Sequence, residues 1–393
     1  MRQVVRPRSG EGTCMSTLPL SELDLHLTNR CTRRCSYCCY RSGDSLLPEL
    51  STNQWMRLLG EAADLGCETI DLTGGEPLLR PDLAALASEC ARLGISVSVQ
   101  TNGDLADEST LATLRDAGIS RLKLSMDSPD PKTNDRLRGT FASAKTMRAI
   151  RTAVRLGIPT HVTAVVSRQT VKTLPALWKR LTEEGIECFR AYYLSPIGRA
   201  SDRIQEWLKP EEYARIWQDM LVPTLLDSPH GPNRVVIEPG YLSWQDGPAF
   251  RLDDQRGCGG GCESARSRRD YLIVRCDGAA FPCIMAVGHD RPLGSILKSS
   301  LAGLRGASGD WSFVDRRHLG AAGGDCDACE LLSVCGGGCA GYAATLGPAS
   351  GHRDPRCRPG HWWPVCPALK HDPLRGTWGG STAGTLSLGE KKR

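Results

Sequence analysis

Long hydrophobic runs are missing from this sequence of 393 residues. No segment approaches the about 18 consecutive apolar residues of a transmembrane helix, and the opening MRQVVRPRSGEGTCMSTLPL lacks the apolar core of a signal peptide. A large excess of one charge is missing too, because 49 Lys and Arg residues against 44 Asp and Glu residues leave a net charge of +5. No basic run is interleaved with aromatic residues, which argues against nucleic-acid binding. We therefore expect a cytoplasmic protein that binds neither a membrane nor a nucleic acid.

Apolar and amphipathic segments alternate along residues 23–222. Six segments have the pattern of strands, and a helical pattern follows each of the first five, beginning with a helix capped by Thr52. Such βα repeats predict an α/β fold with a parallel sheet, either open and doubly wound or a partial barrel, with chemistry at the carboxyl ends of its strands. The expected strands are LDLHLT (23–28), ETIDLT (68–73), SVSVQ (96–100), RLKLS (121–125), HVTAVV (161–166) and FRAYYL (189–194).

The composition changes after the βα repeats end. A stretch rich in Pro, Gly and Asp is followed by a segment dense in Cys and Gly, which has too few apolar residues for a core and needs metal or covalent staples. Met15 is a candidate true start within a polar leader. The predicted units are a flexible leader, a βα domain, a bridging region, a cysteine-rich domain and a flexible tail, at residues 1–22, 23–222, 223–257, 258–366 and 367–393.

Cysteine is abundant, with 18 residues. Disulfides belong to oxidising compartments, so clustered cysteines in a chain without an export signal indicate metal binding. Directly after the first expected strand, Cys31, Cys35 and Cys38 have the spacing C-x3-C-x2-C. Three thiolates can hold three irons of a [4Fe–4S] cluster and leave the fourth iron open. A zinc site with one free position and a redox disulfide are the alternatives.

Other expected strands also end in polar or glycine-rich residues. The second ends in TGGEP, in which Gly74 and Gly75 permit a close backbone approach and Glu76 offers a carboxylate. The third and fourth end in QTNG and LSMDS, which place short polar side chains where a ribose or an amino acid could be held, with helix capping as the plainer interpretation. Those side chains are Asn102, Ser125 and Asp127.

The cysteine spacing with Tyr37 before its last cysteine, followed by GGEP, resembles the radical S-adenosylmethionine (SAM) superfamily over about residues 23–200. The resemblance implies a partial (β/α)6 TIM-like barrel, in which the open iron chelates the amino and carboxylate groups of SAM. It implies that Glu76 and the backbone of Gly74 and Gly75 hold the amino group. Further implied SAM contacts are Tyr37, Asn102, Ser125 and Asp127, with Arg138 as a carboxylate partner or an exposed arginine, and Leu194 beside the adenine.

The later cysteines follow a second spacing, C-x15-G-x4-C and then C-x2-C-x5-C-x3-C and one more cysteine. This series resembles the SPASM domain, which carries two auxiliary [4Fe–4S] clusters; a zinc ribbon is the alternative. The resemblance assigns one cluster to Cys326, Cys329, Cys335 and Cys357. It assigns the other to Cys262, Cys283 and Cys339, with Cys258 as the best-fitting fourth ligand, Cys276 as its competitor, or an open iron.

The remaining cysteines and cavity candidates receive plainer assignments. Core packing is expected for Cys67, Cys90 and Cys188, and Cys14 falls in the leader. Three cysteines near the expected clusters are candidates for spare ligands or hydrogen-atom donors, with packing as the simpler interpretation: Cys39, Cys276 and Cys366. No general base is identified, since core packing also explains the candidates His26, Tyr192 and Tyr193.

By the same resemblance, one electron cleaves SAM to methionine and a 5′-deoxyadenosyl radical, which removes a hydrogen atom from a substrate C–H bond. The expected substrate is a ribosomally made peptide that becomes crosslinked or oxidised; oxidation or decarboxylation of a small molecule is the alternative. Ile284 after Cys283 counts against sulfatase maturation, where an Asp is typical. Expected partners are reduced flavodoxin or ferredoxin as electron donor and, because only 22 residues precede the first strand, a separate leader-binding protein.

Overall fold

The structure is a computed structural model that describes residues 20–44, 46–208, 234–237, 242–244, 249–251, 271–306, 308–309, 340–346 and 385–387. The βα domain falls almost entirely within these ranges. Most of the expected cysteine-rich domain lies outside them.

The six strands expected from the sequence are present and lie side by side in chain order. Each pairs in parallel with the next, so that the connecting helices pack on the outer face of one curved sheet. Their bounds are β1 (Glu22–His26), β2 (Thr69–Thr73), β3 (Ser96–Thr101), β4 (Arg121–Ser125), β5 (Thr160–Val166) and β6 (Cys188–Tyr193). The predicted α/β fold with a parallel sheet is therefore confirmed.

The sheet continues beyond these six strands on both sides. A seventh strand from the expected bridging region pairs in parallel with β6, and a strand from the expected cysteine-rich domain pairs in parallel with β1. These additions were not anticipated from the sequence. They are β7 (Arg234–Ile237), β8 (Leu242–Trp244), β9 (Ala249–Arg251), β10 (Tyr271–Arg275), β11 (Ala279–Phe281), β12 (Gly294–Ser295) and β13 (Thr385–Ser387). The order across the sheet is β12-β11-β10-β1-β2-β3-β4-β5-β6-β7-β8-β9-β13.

The helices that connect the strands follow the predicted positions with two differences. The first helix is capped by Ser51 in a reciprocal capping box with Gln54, and not by Thr52, because the Ser51 side chain reaches the free N–H groups of the first turn. A helix over Pro131–Arg138 was not predicted, since its sequence PKTNDRLR has little apolar periodicity; Asp130 caps it. The helices are α1 (Thr52–Asp64), α2 (Leu83–Arg92), α3 (Glu108–Asp116), α4 (Pro131–Arg138), α5 (Ala142–Arg155), α6 (Leu174–Glu183), α7 (Ile284–Gly288), α8 (Leu301–Arg305) and α9 (Ala340–Leu346).

The hydrophobic core lies between the sheet and these helices. In β1, for example, Leu23 and Leu25 are fully buried against the helix layer, whereas the alternating Asp24 points to the inner face of the sheet. Predicted core cysteines Cys67, Cys90 and Cys188 are buried, as expected. Within the described part of the chain, no helix is long and apolar enough to cross a membrane.

Candidate active site

A cavity of about 430 Å³ opens on the inner face of the sheet. Residues from both ends of the parallel set line it, including Asp24 of β1 and Arg190 of β6, which shows that the sheet curves around the cavity. The loops after β1, β2 and β3 close its upper side. This is the edge at which the carboxyl ends of the strands meet, as the βα pattern predicted.

The three motif cysteines lie together at this edge. Cys31, Cys35 and Cys38 are unpaired, partly exposed and line the cavity. Burial raises the pKa of the Cys31 thiol to about 11, and nearby carboxyl and thiol groups add to the effect. Because iron binds thiolates, a bound cluster would have to supply the positive charge that offsets this shift.

Hydrogen-bond donors also point at the sulfur atoms. The backbone N–H of Arg33 lies 3.4 Å from the Cys31 sulfur, and the Asn102 side-chain amide lies 3.8 Å from it. Donors of this kind tune a cluster bound through such thiolates. No three His, Cys, Asp or Glu side chains of the described chain converge as the ligands of a single metal ion would. The observed donors fit a thiolate-bound cluster with an open side toward the cavity.

Both glycines of the GGEP loop are required by a close approach of two backbone segments. A Cβ on Gly75 would lie 2.0 Å from the carbonyl oxygen of Arg30, and Gly74 has a φ of +134° beside Thr28. The N–H of Gly75 donates to the Thr28 carbonyl at 2.7 Å, and that of Glu76 donates to the Arg30 carbonyl at 2.8 Å. The loop therefore holds the chain that leads into the cysteines, and it also lines the cavity.

Glu76 lies buried directly behind the cavity wall, and its predicted contact with SAM stays a prediction. Its carboxylate is fully buried and accepts hydrogen bonds from the Thr101 hydroxyl at 2.7 Å and the Asn102 backbone N–H at 2.9 Å. It is absent from the cavity lining. Burial raises its pKa to about 6, although these donors oppose the shift. In this structure Glu76 positions the end of β3, and the cavity itself receives the backbone of the two glycines.

Tyr37, Asp127 and Arg138 form one buried group below the cysteine loop. The Arg138 guanidinium donates to the Asp127 carboxylate at 2.6 Å, and the Tyr37 hydroxyl donates to the same carboxylate. Burial would lower the pKa of Arg138, but the neighbouring Asp127 carboxylate raises it above its usual range. Arg138 is 6% exposed and faces the cavity, so the alternative of a solvent-exposed arginine is wrong.

The other predicted cofactor contacts occupy different positions around the cavity. Asn102, Ser125 and Leu194 line it, and the Ser125 hydroxyl lies 3.3 Å from that of Thr163. Asp127 is fully buried and does not line the cavity; its carboxylate accepts hydrogen bonds from three residues that do, through the Arg138 and Tyr37 side chains and the Val165 backbone N–H. Asn102 does not cap the next helix, since Asp107 caps α3; its amide oxygen accepts from the Asp104 N–H at 2.8 Å and its amide nitrogen donates to the Thr32 hydroxyl at 3.0 Å.

Arg199 supports the cysteine loop, and no sequence signal identified it. Its Nε donates to the Cys35 carbonyl at 2.8 Å, and its Nη1 donates to the Ser42 carbonyl at 3.1 Å and to Asp44 at 2.7 Å. Gly198 permits this contact, since a Cβ there would lie 2.3 Å from the carbonyl oxygen of Cys38. The segment after β6 thus fixes the loop that follows β1.

Two C-terminal cysteines and two further candidates can also be located. Cys283 lines the same cavity as the motif cysteines, whereas Cys276 is buried and lies outside the lining. Tyr192 lines the cavity, and His26 instead packs against Tyr40 with ring centroids 3.5 Å apart. The remaining predicted auxiliary ligands lie outside the described residues: Cys258, Cys262, Cys326, Cys329, Cys335, Cys339 and Cys357.

Comparisons with known proteins agree with this geometry. Residues 25–180 match the model of the radical SAM superfamily. The chain is 27% identical over 362 residues to a PqqA peptide cyclase of Granulibacter bethesdensis, covering 87% of this chain and 88% of that protein. It is 32% identical over 191 residues to the Fe-coproporphyrin III synthase of Methanosarcina barkeri, which covers 48% of this chain and only 47% of the relative.

Among solved structures, Streptococcus suis SuiB has a similar fold. Its complex with SAM superposes with a TM-score of 0.70 at 21% identity, covering 87% of this chain and 78% of that one. Its complex with the precursor peptide SuiA gives the same TM-score and identity and covers 76% of that chain. At this identity the likeness establishes the partial barrel fold alone. With its cysteine loop, its GGEP turn and the family match over residues 25–180, the protein is a radical SAM enzyme with a C-terminal extension.

Proposed function

We propose that this enzyme matures a ribosomally made peptide by removing a hydrogen atom from one of its C–H bonds. The observation that carries the proposal is the single cavity that brings together the three motif cysteines, the Gly74–Gly75 backbone and the polar strand ends. When bound, the cluster and SAM supply the one-electron cleavage that generates the hydrogen-abstracting radical. The protein contributes the binding site and the exclusion of water.

The chain's own residues divide these tasks. Cys31, Cys35 and Cys38 would hold the cluster, with Asn102 donating toward the Cys31 sulfur. The Arg138 guanidinium is the cationic group proposed for the carboxylate of SAM, because Asp127 fixes it, Arg138 lines the cavity, and its charge acts on the Cys35 thiol. Further proposed contacts, from residues lining the same cavity, are Tyr37, Gly74, Gly75, Ser125 and Leu194.

A peptide substrate is supported by the relative that matches nearly along its whole length, a PqqA peptide cyclase. The small-molecule alternative has weaker support, since the porphyrin enzyme matches over only about half of either chain. SuiB, which has a similar fold, is known in complex with a precursor peptide. We propose that crosslinking or oxidation of a peptide is the reaction, with reduced flavodoxin or ferredoxin as the electron donor.

We further propose that the C-terminal extension, residues 258–366, is a SPASM domain with two auxiliary [4Fe–4S] clusters. The position of Cys283 on the wall of the SAM cavity supports this, because it brings a proposed auxiliary ligand within reach of the substrate space. The proposed ligands of the two clusters are those implied by the resemblance to the SPASM domain. A separate leader-binding protein and a cytoplasmic setting stay predictions.

Release of 5′-deoxyadenosine by anaerobically reconstituted, reduced enzyme tests the proposal. The enzyme is incubated with SAM and with extract of the host cell, either untreated or digested with protease that is then inactivated. We expect the extract to stimulate release and protease to remove the stimulation. Stimulation that survives digestion would contradict the peptide assignment and favour a small molecule.

A further inference from the structure

A carboxyl group with no role in cofactor binding faces the lower part of the cavity. Asp24 lies in the middle of β1 on the inner face of the sheet and lines the cavity. The hydroxyl of Tyr271, in β10 beyond β1, donates to its carboxylate at 2.7 Å. Tyr271 also lines the cavity. The C-terminal part of the chain thus holds a titratable group of the βα domain in a fixed orientation toward the substrate space.

Within the described ranges of the chain, no cation forms an ion pair with the Asp24 carboxyl. Asp71 lies directly opposite in β2, and the nearest cation, Lys123 of β4, is bound to Asp71. Glu22, on the same face of β1, adds a further negative charge nearby. The other titratable groups that face it are Tyr40, after the cysteine loop, and Tyr271.

The pKa of Asp24 therefore lies near neutral pH, where the protonated and the ionised carboxyl are both present. Burial raises its pKa to about 8, and the Asp71 carboxylate adds to the rise, while the hydrogen bond from Tyr271 and the charge of Lys123 oppose it. A catalytic base is most effective when its pKa lies close to the working pH. Asp24 has this property in a position that the substrate can reach.

The overall reaction requires such a group. Removal of a hydrogen atom leaves a carbon radical on the substrate. If that carbon bonds to a second substrate atom that carries hydrogen, the X–H bond breaks, and one proton and one electron must leave to give a closed-shell product. One of the auxiliary iron–sulfur clusters proposed above would serve, in its oxidised state, as the electron acceptor, and the proton would need an acceptor on the cavity wall.

We infer that Asp24, oriented by Tyr271, is the base that accepts this proton. The inference rests on the proposed function, because it assigns a role within radical maturation of a peptide. It names a residue pair for which the family resemblance gave no assignment. Asp24 would act on the substrate, and Tyr271 would act as a positioning residue through its hydrogen bond.

The pair is tested with Asp24→Asn and Tyr271→Phe in the reconstituted holoenzyme, with Asp64→Asn, an exposed carboxyl at the end of α1 and outside the cavity lining, as the control. The substrate is the peptide purified from the protease-sensitive extract fraction, and the product is measured as peptide that has lost two hydrogen atoms. Product per 5′-deoxyadenosine should fall at least about 100-fold in Asp24→Asn, the size of a general-base contribution, and stay near the wild-type value in Asp64→Asn.

The pH profile separates a proton acceptor from a structural residue. Wild-type product formation should rise with an apparent pKa near 8, and the rise should vanish in Asp24→Asn. Since the Tyr271 hydrogen bond favours the charged carboxylate, Tyr271→Phe should move the rise to higher pH. Equal product ratios and equal profiles in wild type and Asp24→Asn would overturn the inference.

A measurement without substrate completes the test. Isotope-edited infrared spectra of the substrate-free holoenzyme with labelled aspartate should show a protonated carboxyl band that titrates near pH 8 and is absent from Asp24→Asn. A carboxyl that is already ionised at pH 6 would overturn the inference whatever the substrate proves to be. Failure of the wild-type enzyme to respond to any extract would instead count against the proposed function alone.

Discussion

Replacing Arg199 by alanine should release the loop that carries the motif cysteines. The side chain is 13% exposed and donates to the carbonyl groups of Cys35 and Ser42 and to Asp44. Hydrogen bonds from a charged donor contribute about 1.5–3 kcal/mol each, so loss of the two carbonyl contacts costs about 3 kcal/mol at the lower end. That free energy corresponds to an about 100-fold larger population of the open loop.

The rate at which the bound iron–sulfur cluster is lost provides the assay. Reconstituted wild type and Arg199→Ala are mixed anaerobically with an excess of iron chelator, and the decay of the cluster absorbance is followed. If loss requires opening of the loop, the variant should lose its cluster about 100-fold faster. Folding of the variant is checked by circular dichroism.

Arg34→Ala is the matched control. Arg34 lies in the same loop and forms an ion pair with the same Asp44 at 2.6 Å, but its side chain is 67% exposed. An exposed pair contributes about 1 kcal/mol at most, so its removal should speed cluster loss by about five-fold or less. Equal rates for Arg199→Ala and Arg34→Ala would refute the reasoning that the two buried carbonyl contacts hold the loop.

Three further predictions concern the groups behind the cavity. Gly75→Ala should abolish SAM binding measured by calorimetry, because its Cβ would lie 2.0 Å from a backbone oxygen, whereas Gly60→Ala, with open space around it, should bind normally. Asp127→Asn should lower the free energy of unfolding in denaturant by about 3–5 kcal/mol, since it leaves the buried Arg138 without its partner; a loss below about 1 kcal/mol would contradict the assignment. Because the folded-state pKa of Glu76 is raised from 4.5 to about 6, the wild type should lose about 2 kcal/mol of stability relative to Glu76→Gln in total as the pH rises from well below 4.5 to well above 6, and parallel curves would contradict this.

Much of the βα domain could be predicted because its pattern is local. Alternation within β1 and the amphipathic helices report which face of each element is buried, and the succession of strand and helix predicts a parallel sheet. The helix Pro131–Arg138 was not predicted because its residues are mostly polar. It is stabilised by its N-cap residue and by the buried Arg138 side chain. Strand β10 was not predicted because its pairing with β1 joins residues some 250 positions apart, and no local sequence pattern specifies such a distant partner.

The site shows the same difference between features set by one local segment and features set by contacts between distant segments. The cysteine spacing and GGEP could be recognised because each motif occupies one loop. The hydrogen bonds that the Glu76 carboxylate accepts from the Thr101 hydroxyl and the Asn102 N–H could not be predicted, because they depend on how β2 and β3 pack; its contact with the cofactor stays a prediction. Arg199 and Asp24 act through contacts with distant segments, so their roles emerge only from the folded chain.

The most direct test of the central claim compares two neighbouring cysteines in the cavity. Cys35 belongs to the C-x3-C-x2-C motif, and Cys39 lines the same cavity without belonging to it. After anaerobic reconstitution and reduction with SAM present, 5′-deoxyadenosine is measured in wild type, Cys35→Ala and Cys39→Ala. The account predicts release by wild type and Cys39→Ala and none by Cys35→Ala. Wild-type release from Cys35→Ala would contradict it.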